Sequence, residues 1–325
     1  MTGDRPKTTS YKKYLMISVK KNTLNLLIIF FLSLGSSVAY PQQKQIPVQH
    51  LTDIYNNMKA GRLELLEDKE IHIRSEKTGD VLKADVYAII HNRFIDIYKA
   101  LSTPDNWCEF VLLHLNVKTC TCTQGAKPTV TFYAGRKFYE PPEKAYELKY
   151  QFQITEYESD RFRVQLTAEE GPYGTSDYTI VVEAILMERE TLLHMYLSYE
   201  TGFMSRLATR AYLSTIGKDK VGFSIVSQKA NNPVYIQGVN GIIERNVMRY
   251  FLALSVYLDT LNLDSAEQFS QRAEAWYELT EQYAIQLHEL EKQEYMEAKR
   301  REYLNQYYMQ NKISLELSET ATVNN

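Results

Sequence analysis

The stretch Ala145–Thr155, AYELKYQFQIT, decides the fold class, because apolar and polar residues alternate through it without a break. Alternation with a period of two predicts a β-strand with one face buried and the other in water. The pattern repeats after the turn at Ser159-Asp160, where Phe162, Val164 and Leu166 are separated by polar residues. Two such stretches joined by a short turn predict neighbouring antiparallel strands.

Further strands and short helices are predicted on both sides of this stretch. Ile71–Ile90 contains two strands around the turn Lys77–Asp80, and short helices follow at Asn92–Leu101 and Trp107–Leu113. A helix is also expected within His50–Leu66. The other predicted strands lie near His114–Cys122, Thr129–Arg136, Asp177–Glu188, Leu192–Glu200 and Lys220–Ser227.

One long apolar helix follows these strands and opens at Gly241. Its apolar residues recur at helical spacing, as in Ile243, Val247 and Phe251, and the stripe extends to Leu261. The order of elements predicts an α+β helix-grip fold, in which a curved antiparallel sheet wraps around the long helix. This arrangement tends to leave a cavity between sheet and helix.

Two segments add to this core. Phe203–Ile216 is a small basic amphipathic insert between two strands, which we interpret as a lid or a connecting loop. Residues 263–312 are predicted to form a helical extension that packs on the domain or on a partner, because Phe269, Trp276, Tyr283 and Leu290 recur every seven residues. Residues 313–325 are expected to be disordered.

The N-terminal segment has the pattern of a secretory signal peptide. Lys20-Lys21 precede the apolar run Leu24–Leu34, and small residues lead up to Ala39. We therefore expect a cleaved signal over residues 1–39, cut before Tyr40, followed by a linker and helix over residues 40–66. Whether Met1 or Met16 is the true start is left open, as is an uncleaved anchor. The protein is expected to be periplasmic or secreted.

Charge argues against nucleic-acid binding. The formal net charge of the chain is −3, and removal of the first 39 residues, with six basic residues and one acidic residue, changes it to −8. Polyanionic nucleic acids bind basic surfaces, so an acidic exported chain is a poor candidate.

The three cysteines fit an oxidising compartment without a disulfide framework. Cys120 and Cys122 are two residues apart, so pairing between them within one strand would be strained. Cys108 can pair with either of them, and buried thiols are the alternative. A CxC pair with no nearby histidine is a weak metal signal, and neither metal nor cofactor is expected.

The sequence contains none of the common catalytic motifs, such as GxSxG, HExxH or a phosphate-binding glycine loop. No catalytic residue is therefore assigned. His194 shares a strand face with Leu192 and Tyr196, which would let it enter the cavity. Glu183 or Glu200 could pair with Arg245 or Arg249 to orient a polar head group, or could face solvent instead.

Three stretches, together with the order of elements, are typical of one family of domains: Lys83–Ile90, Pro104-Asp105-Asn106-Trp107, and Glu244–Leu252 in the closing helix. On these stretches the core resembles the START domains of the lipid-transfer helix-grip superfamily, and the order of elements counts for more than any single motif. The resemblance covers about Ile71–Leu261, within a domain placed at residues 67–262. The resemblance implies a hydrophobic tunnel that holds one lipid-like molecule.

We therefore predict non-covalent binding or transfer of a lipid or another hydrophobic small molecule. The predicted ligand-binding residues are Tyr150, Phe152, His194, Tyr196, Met204, Arg206, Arg245, Met248, Phe251 and Leu252. Phe203–Ile216 would make transient membrane contact, and the C-terminal helices offer a surface for a protein partner. Two alternatives stay open: a helix-grip enzyme of the aromatase/cyclase or hydrolase kind that uses His194 and Tyr196, and an envelope scaffold that acts through the C-terminal helices.

Overall fold

The structure, a computed structural model, describes residues 47–66, 69–229 and 232–323. The predicted signal peptide lies outside these residues, as do the first residues of the linker. Among the described residues, no helix combines the length and the apolar content that a membrane crossing requires.

Eight antiparallel strands form one sheet in the order β1-β2-β8-β7-β6-β5-β4-β3. β9 and β10 form a separate hairpin. The strands are β1 (Ile71–Thr78), β2 (Val81–Ile90), β3 (Val117–Thr123), β4 (Thr129–Ala134), β5 (Tyr146–Tyr157), β6 (Arg161–Glu170), β7 (Ser176–Met187), β8 (Glu190–Glu200), β9 (Ile225–Lys229) and β10 (Asn232–Tyr235).

Eight helices surround this sheet in the described part of the chain. They are α1 (Val48–Lys59), α2 (Phe94–Leu101), α3 (Pro104–Val111), α4 (Phe203–Leu213), α5 (Gly238–Asp259), α6 (Ser265–Glu281), α7 (Ala284–Leu287) and α8 (Lys292–Val323). α5 is the predicted long helix and begins three residues before Gly241. The α+β helix-grip fold with a helical extension is confirmed.

Helices pack against both faces of the sheet, although much of the outer face of β5 is exposed. The inner face of the sheet packs against α5, α2 and α3 in the main hydrophobic core, to which Val86, Val164 and Met195 contribute. On its outer face, α1 covers a smaller apolar cluster through Leu51, Ile54 and Met58. Strands such as β2 and β8 are therefore buried on both faces over much of their length.

The segment predicted as a strand at Lys220–Ser227 does not join the main sheet. Its backbone is held by the long helix instead, because Glu244 of α5 accepts hydrogen bonds from the N–H groups of Phe223 (2.7 Å) and Ser224 (2.9 Å). Only its end enters a strand, as part of the β9–β10 hairpin.

The C-terminal helices pack on the domain. Trp276 of α6 and Tyr295 of α8 are buried in the main core. The seven-residue pattern does not form one continuous helix, since α6 ends at Glu281 and α8 begins at Lys292. α8 then continues to Val323, where disorder was expected from residue 313.

The cysteine alternatives are resolved in favour of one pairing. Cys108 of α3 and Cys120 of β3 form a disulfide, and Cys122 is a buried free thiol. Its thiol donates a hydrogen bond to Asp105 (2.8 Å). Burial and this carboxylate raise the pKa of Cys122, so the thiol is protonated and unreactive at neutral pH.

Candidate functional site

A cleft of about 430 Å³ lies between α5 and the sheet, beneath α4. This volume is within the range of roughly 300–1,000 Å³ that is usual for small-molecule sites. Most of its lining comes from α5, the ends of β7 and β8, the turn at Pro172–Thr175, and α4, and the connecting segments contribute Asn116, Lys137 and Glu289. The lining residues are Asn116, Lys137, Pro172, Tyr173, Thr175, Tyr178, Tyr199, Thr201, Ser205, Ala208, Thr209, Tyr212, Ile242, Arg245, Asn246, Arg249 and Glu289.

Tyrosines on the sheet form the floor of the cleft. The rings of Tyr178 and Tyr199 stack with centroids 5.1 Å apart, and Tyr150 contacts Tyr178 edge to face from below. The Tyr178 hydroxyl also lies 2.8 Å from that of Thr175. Burial raises the pKa of Tyr178 to about 12, so this phenol is neutral at physiological pH. The floor is therefore an apolar surface with polar hydroxyl tips.

α4 forms the roof. Just before its N-terminus, the backbone of Gly202 packs closely against that of Gly174. A Cβ at residue 202 would overlap the Gly174 carbonyl oxygen. Arg206 adds an ion pair to Asp80 (2.9 Å) and donates a hydrogen bond to the Thr201 carbonyl (2.8 Å). Only Ser205 of α4 is buried, so the helix is attached by few contacts.

The outer surface of this roof is apolar. Phe203, Met204 and Leu207 are more than half exposed, and Tyr173 and Ile216 nearby are exposed to a similar or greater extent. Phe203 and Leu207 are one helical turn apart, so they point in the same direction.

Charged side chains cluster at one end of the cleft, which we call the charged end. The Glu289 carboxylate contacts Lys137 Nζ at 2.6 Å and Arg249 Nη2 at 3.0 Å, and Lys220 Nζ lies 3.8 Å away. Burial opposes ionisation of Glu289, but the cations outweigh it and lower the pKa of this carboxyl. Arg245 also lines the cleft and donates from Nη1 to the Val221 carbonyl (2.9 Å).

Two of the predicted ligand-binding residues line this cleft or the pocket beside it, whereas Met204 lies on the exposed outer surface of α4 and lines neither. Arg245 lines it directly. Met204 and Arg206 belong to α4, and Arg206 lines an adjacent pocket of about 110 Å³ that shares Tyr199 and Ile242 with the cleft.

Five others lie in the packed core. Tyr150, Phe152 and Met248 are buried among neighbouring core side chains and do not border the cleft. Phe251 and Leu252 border a different hollow, next to β1 and β2. The expectation that these residues share one cavity is therefore wrong, because the inner ends of α5 and the sheet pack directly against each other.

His194 and Tyr196 lie on the outer face of the sheet, away from α5. The His194 ring donates hydrogen bonds to the Asp85 carboxylate through Nε2 and to the Glu183 carboxylate through Nδ1, both at 2.8 Å. The prediction that His194 enters the cavity is wrong, since Leu193 and Met195 occupy the inner face of β8. Glu183 likewise pairs with Arg163 (3.1 Å) and not with Arg245 or Arg249. These positions remove His194 and Tyr196 as acid or base candidates for a ligand in the cleft.

Lys137, Asn246 and Glu289 were not identified as site residues from the sequence. Lys137 follows β4 and Glu289 precedes α8, so neither shares a periodic pattern with α5. Arg249 was considered only as a partner for a strand carboxylate. No local signal links these positions, because the tertiary fold brings them together.

One group of described residues places three metal-ligand atoms close together. Atoms of Glu70, His91 and Glu190 lie within 4.8 Å of one another. Lys59 Nζ contacts both carboxylates, at 2.9 Å from Glu70 and 3.2 Å from Glu190. The lysine thus already supplies positive charge at this position, and we assign no metal to it.

Comparison of the sequence with protein-family models and with curated proteins finds no match. Similar solved structures include human StAR-related lipid transfer protein 5, at 10% identity over 51% of this chain and 88% of that chain, with a TM-score of 0.31. Norcoclaurine synthase from Thalictrum flavum is 14% identical over 47% of this chain and 87% of that chain, with a TM-score of 0.29. A protein from Thermus thermophilus is 10% identical over 56% of this chain and 99% of that chain, with a TM-score of 0.34.

The helix-grip fold of the chain rests on its strand order and on the packing of α5 against the sheet.

Proposed function

We propose that the protein binds a lipid-like amphipathic molecule, without covalent chemistry, in the cleft between α5 and the sheet. The observation that carries this proposal is the 430 Å³ cleft itself, with a tyrosine floor and a lightly attached helical roof. A ligand that buries roughly 300 Å² of apolar surface gains about 8 kcal/mol. Since ordering the ligand removes part of this gain, we expect dissociation constants no tighter than roughly micromolar.

α4 acts as the lid that admits the ligand. It is held by few buried contacts, and segments of this kind open at a lower free energy than the rest of a domain. Its exposed Phe203, Met204 and Leu207 would contact the surface of a membrane when ligand is taken up or released. This contact gives the protein a role in lipid transfer, and the ligand passes beneath the lid.

The protein acts outside the cytoplasm, in the periplasm or after secretion. The signal-peptide pattern at residues 1–39 supports this location, and so does the Cys108–Cys120 disulfide, because disulfides persist in oxidising compartments.

Binding is tested with the neutral fluorescent probe N-phenyl-1-naphthylamine and with native mass spectrometry of protein purified from the periplasm. We expect the probe to bind and a co-purified lipid to be found. Ala208→Trp fills the cleft from α4 and should weaken probe binding at least tenfold. Ala211→Trp, on an exposed part of the same helix, should leave binding unchanged. Absence of both probe binding and co-purified lipid would refute the proposal.

A further inference from the structure

The charged end of the cleft contains more positive than negative charge. Among the lining residues, Lys137, Arg245 and Arg249 are cationic, and Glu289 alone is acidic. Glu289 contacts Lys137 and Arg249, whereas Arg245 pairs with a backbone carbonyl and with no carboxylate in the described part of the chain. At neutral pH this lining carries two more positive than negative charges.

Arg249 also has an unused hydrogen-bond donor. Its side chain is only 5% exposed, and Nη2 donates to Glu289 and to the Leu287 carbonyl. Its Nε, by contrast, has no hydrogen-bond partner among the described residues. A buried donor left unpaired costs about 1–3 kcal/mol, and buried polar groups in proteins are normally satisfied. Arg249 therefore keeps one donor that the described residues leave unsatisfied.

We propose that this end of the cleft, formed by Lys137, Arg245 and Arg249 around Glu289, is a subsite for an anionic head group, a carboxylate or a phosphate. The inference rests on the proposed function, because the head group belongs to the molecule that fills the cleft. Charge-assisted hydrogen bonds from a guanidinium suit the oxygens of both groups.

The electrostatic state of the cations supports this assignment. Burial lowers the pKa of Arg249 and of Lys137, and Glu289 offsets only part of this effect in each. A single carboxylate therefore does not compensate for removing two cations from water. A ligand anion would supply the missing compensation, whereas an alcohol or sterol hydroxyl would not.

The other lining residues define the rest of the ligand. Ala208 and Ile242 present apolar surface next to the tyrosine floor. Tyr212 of α4 lies close to the cations, because its ring centre is 5.7 Å from Lys137 Nζ, which contacts Glu289. The ligand is thus a single-headed amphiphile, with the apolar body beneath α4 and the acid group beside Arg249.

Three probes with the same C14 chain test the inference by displacement of N-phenyl-1-naphthylamine: tetradecanol, tetradecanoate and monotetradecyl phosphate. We expect at least one anionic probe to displace at concentrations ten or more times lower than tetradecanol does. The tighter anion identifies carboxylate or phosphate as the head group. Equal displacement by all three would overturn the inference and leave the proposed function standing. Failure of the fluorescent probe to bind at all would count against the proposed function.

Two substitutions, one that removes a positive charge and one that removes a negative charge, distinguish a ligand-binding role of these residues from a structural role. Lys137→Met should weaken tetradecanoate binding about fivefold or more. Lys137→Arg, which keeps the positive charge, should bind tetradecanoate about as tightly as the wild type does. Glu289→Gln removes the carboxylate that competes for these cations, so tetradecanoate should bind several times more tightly. Neither change should alter tetradecanol binding, which also reports that the variant is folded. Lys218→Met, an exposed lysine outside the cleft, controls for net charge.

Equal effects of a substitution on tetradecanol and tetradecanoate would overturn the inference. So would weaker tetradecanoate binding in both Lys137→Met and Glu289→Gln. A structural role predicts that both substitutions weaken binding, whereas an anion subsite predicts opposite changes.

Discussion

His194 is the centre of a buried charge network on the outer face of the sheet. It contacts Asp85 of β2 and Glu183 of β7, and its ring stacks on Tyr87 at 4.4 Å. Burial alone would lower the pKa of His194, but hydrogen bonds and charge from the two carboxylates outweigh it and raise this pKa. Burial would likewise raise the pKa values of Asp85 and Glu183, and His194 and neighbouring arginines lower them instead.

This network predicts a pH-dependent contribution to stability. Because the pKa of His194 is raised on folding, its contribution is complete below the unfolded pKa of about 6.5. It is lost as pH rises through the folded pKa. At pH 6 we expect His194→Gln to lower the free energy of unfolding by about 3–5 kcal/mol, the usual cost of breaking a buried ion pair. The difference should shrink by pH 9 in urea-unfolding measurements.

The two carboxylates of this network give stability the opposite pH dependence at acidic pH. Asp85 and Glu183 have lowered pKa values in the folded state, so their contribution is present above an unfolded pKa near 4 and is lost as pH falls through the folded values. Burial lowers the pKa of Lys299 to about 8, so this lysine also titrates in the alkaline range. Both the wild type and His194→Gln contain Lys299, so its effect cancels when their stabilities are compared. His91→Gln, at an exposed position, is the control and should change stability little. An equal loss at pH 6 and pH 9 would contradict the assignment.

The outer position of His194 could not be deduced from its strand. The alternation in β8 correctly places His194 with Leu192 and Tyr196 on one face. Both faces of β8 are buried, however, so apolar character does not distinguish the inner from the outer face. In β5 the polar partners do mark the outer face, and there the sequence correctly predicts Leu148, Tyr150 and Phe152 as buried.

At the level of elements, α8 protects the exposed edge of the sheet. β3 is an edge strand, and unpaired edges tend to pair with other chains. Gln306 accepts a hydrogen bond from the Cys120 N–H (3.0 Å). Gln310 accepts from the Cys122 N–H (2.8 Å) and donates to the Cys122 carbonyl (3.1 Å). Two glutamines spaced by one helical turn thus satisfy backbone groups of β3.

Gln306→Ala should therefore destabilise the protein. The substitution leaves the buried Cys120 N–H unpaired, at a cost of about 1–3 kcal/mol in the free energy of unfolding. Lys312→Ala, on an exposed part of the same helix, removes only a loose pair with Glu316 and should cost less than about 1 kcal/mol. Urea-unfolding curves measure both. Similar values for the two variants would show that α8 does not cap the edge strand.

The attachment of α4 predicts a local effect of Gly202→Ala. The new Cβ would overlap the Gly174 carbonyl oxygen, and an overpacked contact costs about 1–3 kcal/mol. Because α4 has few other buried contacts, we expect the loss to appear as faster amide hydrogen exchange in residues 203–213 and not as a lower melting temperature. Ser214→Ala at the other end of the helix is the control. Faster exchange throughout the sheet would argue against a separately opening lid.

The helices and strands could be predicted from the sequence more completely than the residues of the cleft. Periodic apolar residues predict most strands and α5, since each pattern is local. The charged end combines Lys137 after β4, Arg249 in α5 and Glu289 between α7 and α8, and its geometry depends on the fold as a whole. Lys220–Ser227 was predicted as a strand for a similar reason. Its backbone N–H groups instead donate to Glu244, a buried carboxylate on α5 that is distant in sequence.

At the scale of the whole molecule, the C-terminal helices are part of one cooperative core. Trp276 donates from its indole nitrogen to the Arg249 carbonyl (3.1 Å), and Tyr295 donates to the Leu113 carbonyl (3.0 Å). Glu302 of α8 pairs with the fully buried Lys118 of β3 at 2.7 Å. A protein partner for these helices stays a prediction, and the exposed apolar residues open to it include Ile285 of α7 and Leu304 and Tyr308 of α8.

Two truncations test how far this core extends. A chain that ends at Leu261 loses α6–α8, removes the carboxylate that pairs with Lys118 and opens the edge of β3, so we expect no cooperative thermal unfolding. A chain that ends at Lys312 keeps Glu302, Gln306 and Gln310 and loses the half-buried Ile313 and the exposed residues 314–319 of α8. Its melting temperature should therefore change by no more than about 2 °C. Circular dichroism on both chains measures the difference. Cooperative unfolding of the shorter chain would show that α6–α8 are an appendage, and would return them to the role of a partner-binding extension.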